Sequence, residues 1–129
     1  MVIGNDVQNW PESVLRLSKS IRYCGVIDKT GSIVASKTRP NALPLITDEE
    51  SRRLALHSAM RHFNVPTWAK TLGQMYYSLG RYEKVIGAVI PVGDKYLLIV
   101  SFDHDTNKFD KIIMNQILPI TKDLVSDTV

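Results

Sequence analysis

The run from Val85 to Phe102 constrains this chain more than any other part of it. Val85 to Val92 and Lys95 to Phe102 are nearly unbroken apolar stretches separated by Gly93-Asp94, a tight-turn pair. Two strands joined so briefly must pair antiparallel. An antiparallel hairpin with one wet face would alternate apolar and polar residues, and this one does not. Both faces of these strands are therefore expected to be covered, by helices on both sides or by helices and a second subunit.

A second hairpin stands earlier. Tyr23-Cys24-Gly25-Val26-Ile27 and Ser32-Ile33-Val34-Ala35-Ser36 flank Asp28-Lys29-Thr30-Gly31. Asp at the start of the turn and Gly at its end suit a type I turn with Gly in the left-handed region. A fifth strand is predicted over Gln74 to Leu79, where Met75, Tyr77 and Leu79 alternate with Gln74, Tyr76 and Ser78.

Three helical patterns surround these strands. Trp10-Pro11-Glu12 opens the first, because Pro needs no N–H at a first helical position. Val14, Leu17, Ser18 and Ile21 continue it at spacings of three and four, which predicts a helix over Pro11 to Ile21. Thr47-Asp48-Glu49-Glu50 is a capping-box signature that opens the second, with Leu56, Ala59, Met60 and Phe63 on one stripe. Pro66 either kinks that helix or starts another running through Trp68 to Leu72, with Gly73 as its cap. The last helix begins near Thr106-Asn107, carries Phe109, Ile112, Ile113, Ile117 and Ile120 on its apolar stripe, and should break near Leu118 because of Pro119. Residues Lys37 to Ile46, with Pro40 and Pro44, read as a loop. The expected architecture is an α/β (α+β) fold: a five-stranded antiparallel sheet flanked by helices, in the order α-β-β-α-β-β-β-α.

A chain of 129 residues fits one domain, with residues 1–9 as a loose N-terminal segment and the last few residues frayed. Its net charge of +3 comes from 16 basic and 13 acidic residues interspersed along the chain, which argues for a solubility role and against a dedicated nucleic-acid binder. Met1 to Gln8 has neither a basic start nor an apolar stretch, so no signal peptide is expected. No apolar run approaches the roughly 20 residues of a membrane span. A cytoplasmic location follows. The lone Cys24 sits in an apolar run and reads as a small buried hydrophobe.

Catalytic machinery is not visible. The seven glycines fall singly, mostly at turns, and form no phosphate-binding loop. His57 and His62 are five apart, which is not the spacing of a helical metal pair, and Asp103-His104-Asp105 reads as a solvated turn. No catalytic residue, metal site or cofactor is expected. Arg53, His57 and Arg61 recur every four residues and line one side of the second helix, as an anion or acidic-partner surface or simply a solvated basic face. Trp68, Tyr76, Tyr77 and Tyr82 cluster around the start of the second sheet segment and could mark an interface or close the core edge.

The hairpin Gly25-Val26-Ile27-Asp28-Lys29-Thr30-Gly31-Ser32-Ile33-Val34-Ala35 resembles the first hairpin of roadblock (dynein light chain) domains, and also hairpins of PAS and profilin-like domains. The order of elements agrees with the roadblock pattern from about Pro11 to Leu124. Ile21-Arg22-Tyr23, Pro44 to Glu50, Tyr82-Glu83-Lys84-Val85, Ile90-Pro91, Leu97 to Asp103 and Ile117-Leu118-Pro119 together resemble a family of small archaeal proteins that has no established activity to carry over. The roadblock resemblance implies a non-enzymatic regulatory or adaptor module that forms homodimers and binds small GTPases, other signalling proteins or larger assemblies. The strand predicted over Gln74 to Leu79, as an edge strand, and the second helix would form that surface. The loop from Lys37 to Ile46 and the break at Pro66 depart from a compact roadblock domain. A PAS-like sensor is the alternative: it requires an apolar pocket of roughly 300 Å³ or more, lined by Met60, Phe63, Tyr77 and Val89. A weaker alternative is a nucleic-acid-associated protein using the basic side of helix two.

Overall fold

A computed structural model describes residues 6–126 of the chain. Five strands form one antiparallel sheet: β1 (Ile21–Asp28), β2 (Ile33–Thr38), β3 (Ser78–Arg81), β4 (Val85–Val92) and β5 (Tyr96–Asp103), in the spatial order β2-β1-β5-β4-β3. Short turns make β1–β2 and β3–β4–β5 sequential neighbours, and β1 joins the two groups by pairing with β5. The register aligns Gly25 with Ile99, Ile99 with Val89, and Val89 with Ser78. This is the five-stranded α+β architecture that the hairpins predict.

The expected helix over Pro11 to Ile21 is shorter. A 3-10 turn, Val7–Asn9, is capped by the Asp6 carboxylate, and helix α1 covers Trp10–Leu15 with Pro11 in its first turn. Ile21 instead opens β1, opposite Phe102. The β-rich run from Ile21 onward gains hydrogen bonds from strands on both sides, and that outweighs a helical spacing that only Val14 to Leu17 support. The first five residues of the segment expected to be loose, and residues 127–129 of the end expected to fray, lie outside the described residues.

At the first hairpin, Asp28 organises the turn. Its carboxylate accepts from the Thr30 N–H at 2.9 Å, the Thr30 hydroxyl at 2.6 Å and the Ser32 N–H at 3.1 Å. The hydrogen bond from Thr30 leads the causes that hold the Asp28 carboxyl below its ordinary pKa. Gly31 takes a φ of +86°, the left-handed conformation the sequence requires.

Helix α2 (Asp48–Phe63) begins at the expected capping box: Thr47 Oγ1 accepts from the Glu50 N–H at 3.1 Å, and the Thr47 N–H donates to Glu50 Oε1 at 2.9 Å. A short helix α3 (Ala69–Leu72) follows Pro66 and ends at Gly73, so the second of the two readings of that proline holds. Strand β3 starts four residues later than Gln74, and β5 is shifted by one residue from Lys95–Phe102. The last helix starts at Phe109 as α4 (Phe109–Ile112), widens into a π-helical turn over Ile113–Ile117, and continues as α5 (Leu118–Ser126). The Leu118 N–H bonds to the Ile113 carbonyl, five residues back. That extra residue accommodates Pro119, which becomes an early residue of α5 where its missing N–H costs least; the predicted break is a widening instead.

The sheet divides two apolar clusters. One face carries Cys24, Val26, Ile86, Ile90, Leu98, Val100 and Phe102, packed under Trp10 and Val14 of α1 and under Ile112, Ile113, Ile117 and Leu124 of the C-terminal helices. The other carries Ile27, Leu97 and Ile99 under Ala55 and Ala59 of α2. Cys24 is fully buried, and burial pushes its thiol pKa up, which fits an inert core residue. Among the described residues no helix is long and apolar enough to cross a membrane.

Candidate interaction surface

Helix α2 meets the sheet through small side chains. Ala55, Ser58 and Ala59 are its buried residues, so the helix lies close to β1 and β5. The expected stripe of Leu56, Ala59, Met60 and Phe63 is rotated: Ala59 is buried and Phe63 packs against the cluster, but Leu56 is 46% and Met60 64% exposed. Small residues let the backbone approach and turn the large ones outward.

Two contacts fix where α2 sits. The tip of the first hairpin lies against its middle: a Cβ added at Gly31 would stand 2.8 Å from Leu56 Cα. At its C-terminal end, His62 Nδ1 lies 2.9 Å from the Ser58 carbonyl and Nε2 lies 2.8 Å from Ser78 Oγ. A carbonyl can only accept, so Nδ1 donates to it, and Nε2 pairs with the Ser78 hydroxyl. His62 thus ties the last turn of α2 to the first residue of β3.

Beyond that tie several large apolar side chains are exposed: Val65, Trp68, Leu72, Met75 and Tyr76, followed by Leu79 on β3 and Tyr82 beyond it. Strand β3 bonds only to β4, so its outer edge is free of strand partners. The opposite edge is treated differently. On β2, Gln8 Nε2 donates to the Val34 carbonyl at 2.8 Å, and Lys37 pairs with Glu12 at 2.8 Å. A side-chain cap and a charge guard β2 against pairing; β3 carries an exposed charge, Arg81, but no such cap is bonded to its backbone among the described residues.

The sequence-derived candidates scatter over this framework. Arg53, His57 and Arg61 all lie exposed on α2, as their spacing requires, and Arg53 is paired with Glu49 at 2.9 Å. Trp68, Tyr76 and Tyr82 are exposed near β3, whereas Tyr77 packs on the α1 side of the sheet and donates a hydrogen bond to the Asp110 carboxylate. That bond raises the Tyr77 pKa. Phe63 and Val89 share the α2-side cluster, Met60 points to solvent and Tyr77 belongs to the other cluster, so the four do not line one cavity. Among the described residues no group of His, Cys, Asp and Glu could hold a metal.

Sequence reasoning missed one charged cluster. Asp103, at the end of β5, accepts from Arg22 at 3.2 Å and from Arg39 at 3.1 and 3.2 Å. Arg22 also donates to the Leu43 carbonyl at 2.8 Å, and Arg39 to the Lys19 carbonyl. Partial burial would raise the Asp103 pKa, but the two guanidinium groups outweigh it and hold the carboxyl below its ordinary value. The cluster straps the loop after β2 to the sheet. Its members are 64 and 81 residues apart in the chain, so no local pattern announces it.

Solved structures are similar to the chain in fold. Thermus thermophilus MglB, described as a gliding protein, aligns with a TM-score of 0.69 at 23% identity over 89% of this chain and 82% of its own. Myxococcus xanthus MglB gives 0.69 at 18% identity over 95% and 97%. A Roadblock/LC7 domain from Streptomyces avermitilis gives 0.69 at 7% identity over 92% and 94%. The chain has a roadblock-like fold. The likeness extends more weakly to profilin, where the Schizosaccharomyces pombe protein gives 0.63 at 14% identity over 96% of this chain and 100% of its own. Neither a protein-family model nor a curated protein sequence matches the chain. In this chain the exposed apolar side chains of residues 65–82 lie next to the free edge of β3 in sequence, and Leu56 and Met60 of α2 are exposed as well.

Proposed function

We propose that this chain is a non-enzymatic regulatory or adaptor module, a single cytoplasmic domain that works as a homodimer joined across α2 and the β3 edge. The observation that carries this reading is the juxtaposition of large exposed apolar side chains with a strand edge that has no strand partner among the described residues. An interface needs an apolar centre and a means of alignment, and pairing at a strand edge supplies the second. A roadblock-like MglB has been solved in a tetrameric arrangement, which supports self-association as a use of such a fold. A small GTPase or another signalling protein is the partner class that the roadblock resemblance implies, and kinship with the small archaeal proteins belongs to the same reading. The lone buried Cys24 fits a reducing compartment.

Light scattering coupled to size-exclusion chromatography at micromolar concentration tests the dimer. The expected mass is twice that of the chain, and Met60→Glu should return it to a monomer with an unchanged circular dichroism spectrum. A wild-type protein that is monomeric at every concentration overturns the reading.

A further inference from the structure

Away from α2 and β3, the end of β5 opens onto a polar groove of about 790 Å³ between the segment from Asp103 to Lys108 and the C-terminal helices. Ile112, a member of the closed cluster, lies at its base. Lys19, Lys108 and Lys111 line it, and among the described residues none of the three is ion-paired. Asp103 also lines the groove, but its carboxylate is engaged by Arg22 and Arg39. Asp105 is a second carboxylate on the wall, and the π-helical turn presents the neutral donors Asn115 and Gln116. Thr106 beside them is only 7% exposed, and its hydroxyl has no hydrogen-bond partner among protein atoms.

The charge of the whole molecule gathers here. A neighbouring groove of about 440 Å³ is lined by Arg22, Arg39, Lys84 and His104 with Glu83. The two grooves together hold six Lys and Arg against Glu83, Asp103 and Asp105, a surplus of three. The net charge of the entire chain is +3. The rest of the protein is therefore balanced, and its excess is concentrated at one end of the sheet. Unpaired ammonium groups around one concavity repel each other, and an anion relieves that repulsion.

We propose that the groove of Lys19, Lys108 and Lys111 binds a small phosphate-bearing ligand, a phosphomonoester or diphosphate. A tetrahedral oxyanion offers three oxygens to three separated ammonium groups and leaves oxygens for amide and hydroxyl donors, which a carboxylate does not. The size of the groove suits a small molecule. This site is independent of the proposed dimer.

The test is titration of the ¹⁵N-labelled chain with inorganic pyrophosphate at low salt, followed amide by amide. Saturable shifts should be confined to Lys19-Ser20, Thr106 to Lys111 and Asn115-Gln116. Lys108→Gln with Lys111→Gln should weaken binding by roughly tenfold or more while leaving the rest of the spectrum and the oligomeric state unchanged. Lys29→Gln with Lys70→Gln, on exposed lysines elsewhere, should leave affinity unchanged. Adenosine triphosphate without metal should shift the same amides, and citrate should bind more weakly than pyrophosphate. Shifts spread evenly over Lys29, Lys37 and Lys70, unchanged affinity in the Lys108/Lys111 variant, or citrate binding as tightly as pyrophosphate would each overturn the assignment.

Discussion

The two faces of the sheet are built on opposite principles. Beneath α1 and the C-terminal helices, large side chains fill the space: Trp10, Ile86, Ile90, Leu98, Phe102, Ile113 and Ile117 are all fully buried. Trp10 and Tyr96 meet edge to face with centroids 5.4 Å apart. Beneath α2 the contact is made by two alanines and a serine with Phe63 beside them, and Leu54, Leu56 and Met60 of the helix are exposed. Burial stabilises by about 25 cal/mol per Å² of apolar surface, so the first face is where the fold's stability is concentrated. The second face is held by a few specific contacts and leaves Leu56 and Met60 of α2 exposed.

The largest expected effect belongs to the closed face. Phe102→Ala should destabilise by about 3–5 kcal/mol, read as a shift of the urea midpoint. A loss below about 1 kcal/mol would mean that this face can collapse around the cavity, and the contrast between the faces would fail. Next comes Gly31→Ala, at the contact between the hairpin and α2. Alanine there combines a left-handed φ with a Cβ 2.8 Å from Leu56 Cα, so a loss of about 2 kcal/mol or more is expected. Because the obstruction includes helix backbone, adding Leu56→Ala should not restore the loss. If it does, the hairpin touches only the leucine side chain and does not set the height of α2.

The same contrast separates what the sequence reveals from what it hides. The β4–β5 pair was legible because two apolar runs around Gly93-Asp94 admit few other readings. The start of α2 was legible because Thr47 and Glu50 satisfy each other's backbone within one turn. The inward face of α2 was not. Periodicity selects Leu56, Ala59, Met60 and Phe63, of which Ala59 and Phe63 do face the sheet, whereas close approach to β1 and β5 adds Ala55 and Ser58 and leaves Leu56 and Met60 outside. Leu56 and Met60, which are exposed, therefore read as core in the sequence. His62 was weighed as half of a metal pair, and only the folded positions of Ser58 and Ser78 reveal it as a tie. The Arg22–Asp103–Arg39 cluster is set by tertiary structure alone.

That cluster gives the third prediction, of intermediate size. The folded Asp103 pKa lies below the unfolded value of about 3.9. The stability it contributes is therefore fully present above that value and is lost as pH falls through it toward the folded pKa. Asp103→Asn should cost about 1–2 kcal/mol at neutral pH and flatten the pH dependence of stability below about 4. An unchanged acid limb would show that the strap across the loop after β2 carries little of the fold.

The smallest effect on the folded chain is expected where the surface looks most apolar. Leu56→Gln with Met60→Gln removes large side chains that α2 turns to solvent, so the intrinsic stability of one chain should change by no more than about 0.5 kcal/mol. Measured stability is a different quantity if the chain dimerises. An obligate or strong dimer unfolds at a temperature that rises with protein concentration, because association favours the folded state by mass action. The wild type should show that rise over a hundredfold range of concentration, and the double variant should not, although the two converge at the lowest concentration. Equal and concentration-independent melting would leave these side chains as bystanders. A loss in the variant that persists at the lowest concentration would return Leu56 and Met60 to the intramolecular core and erase the difference between the two faces.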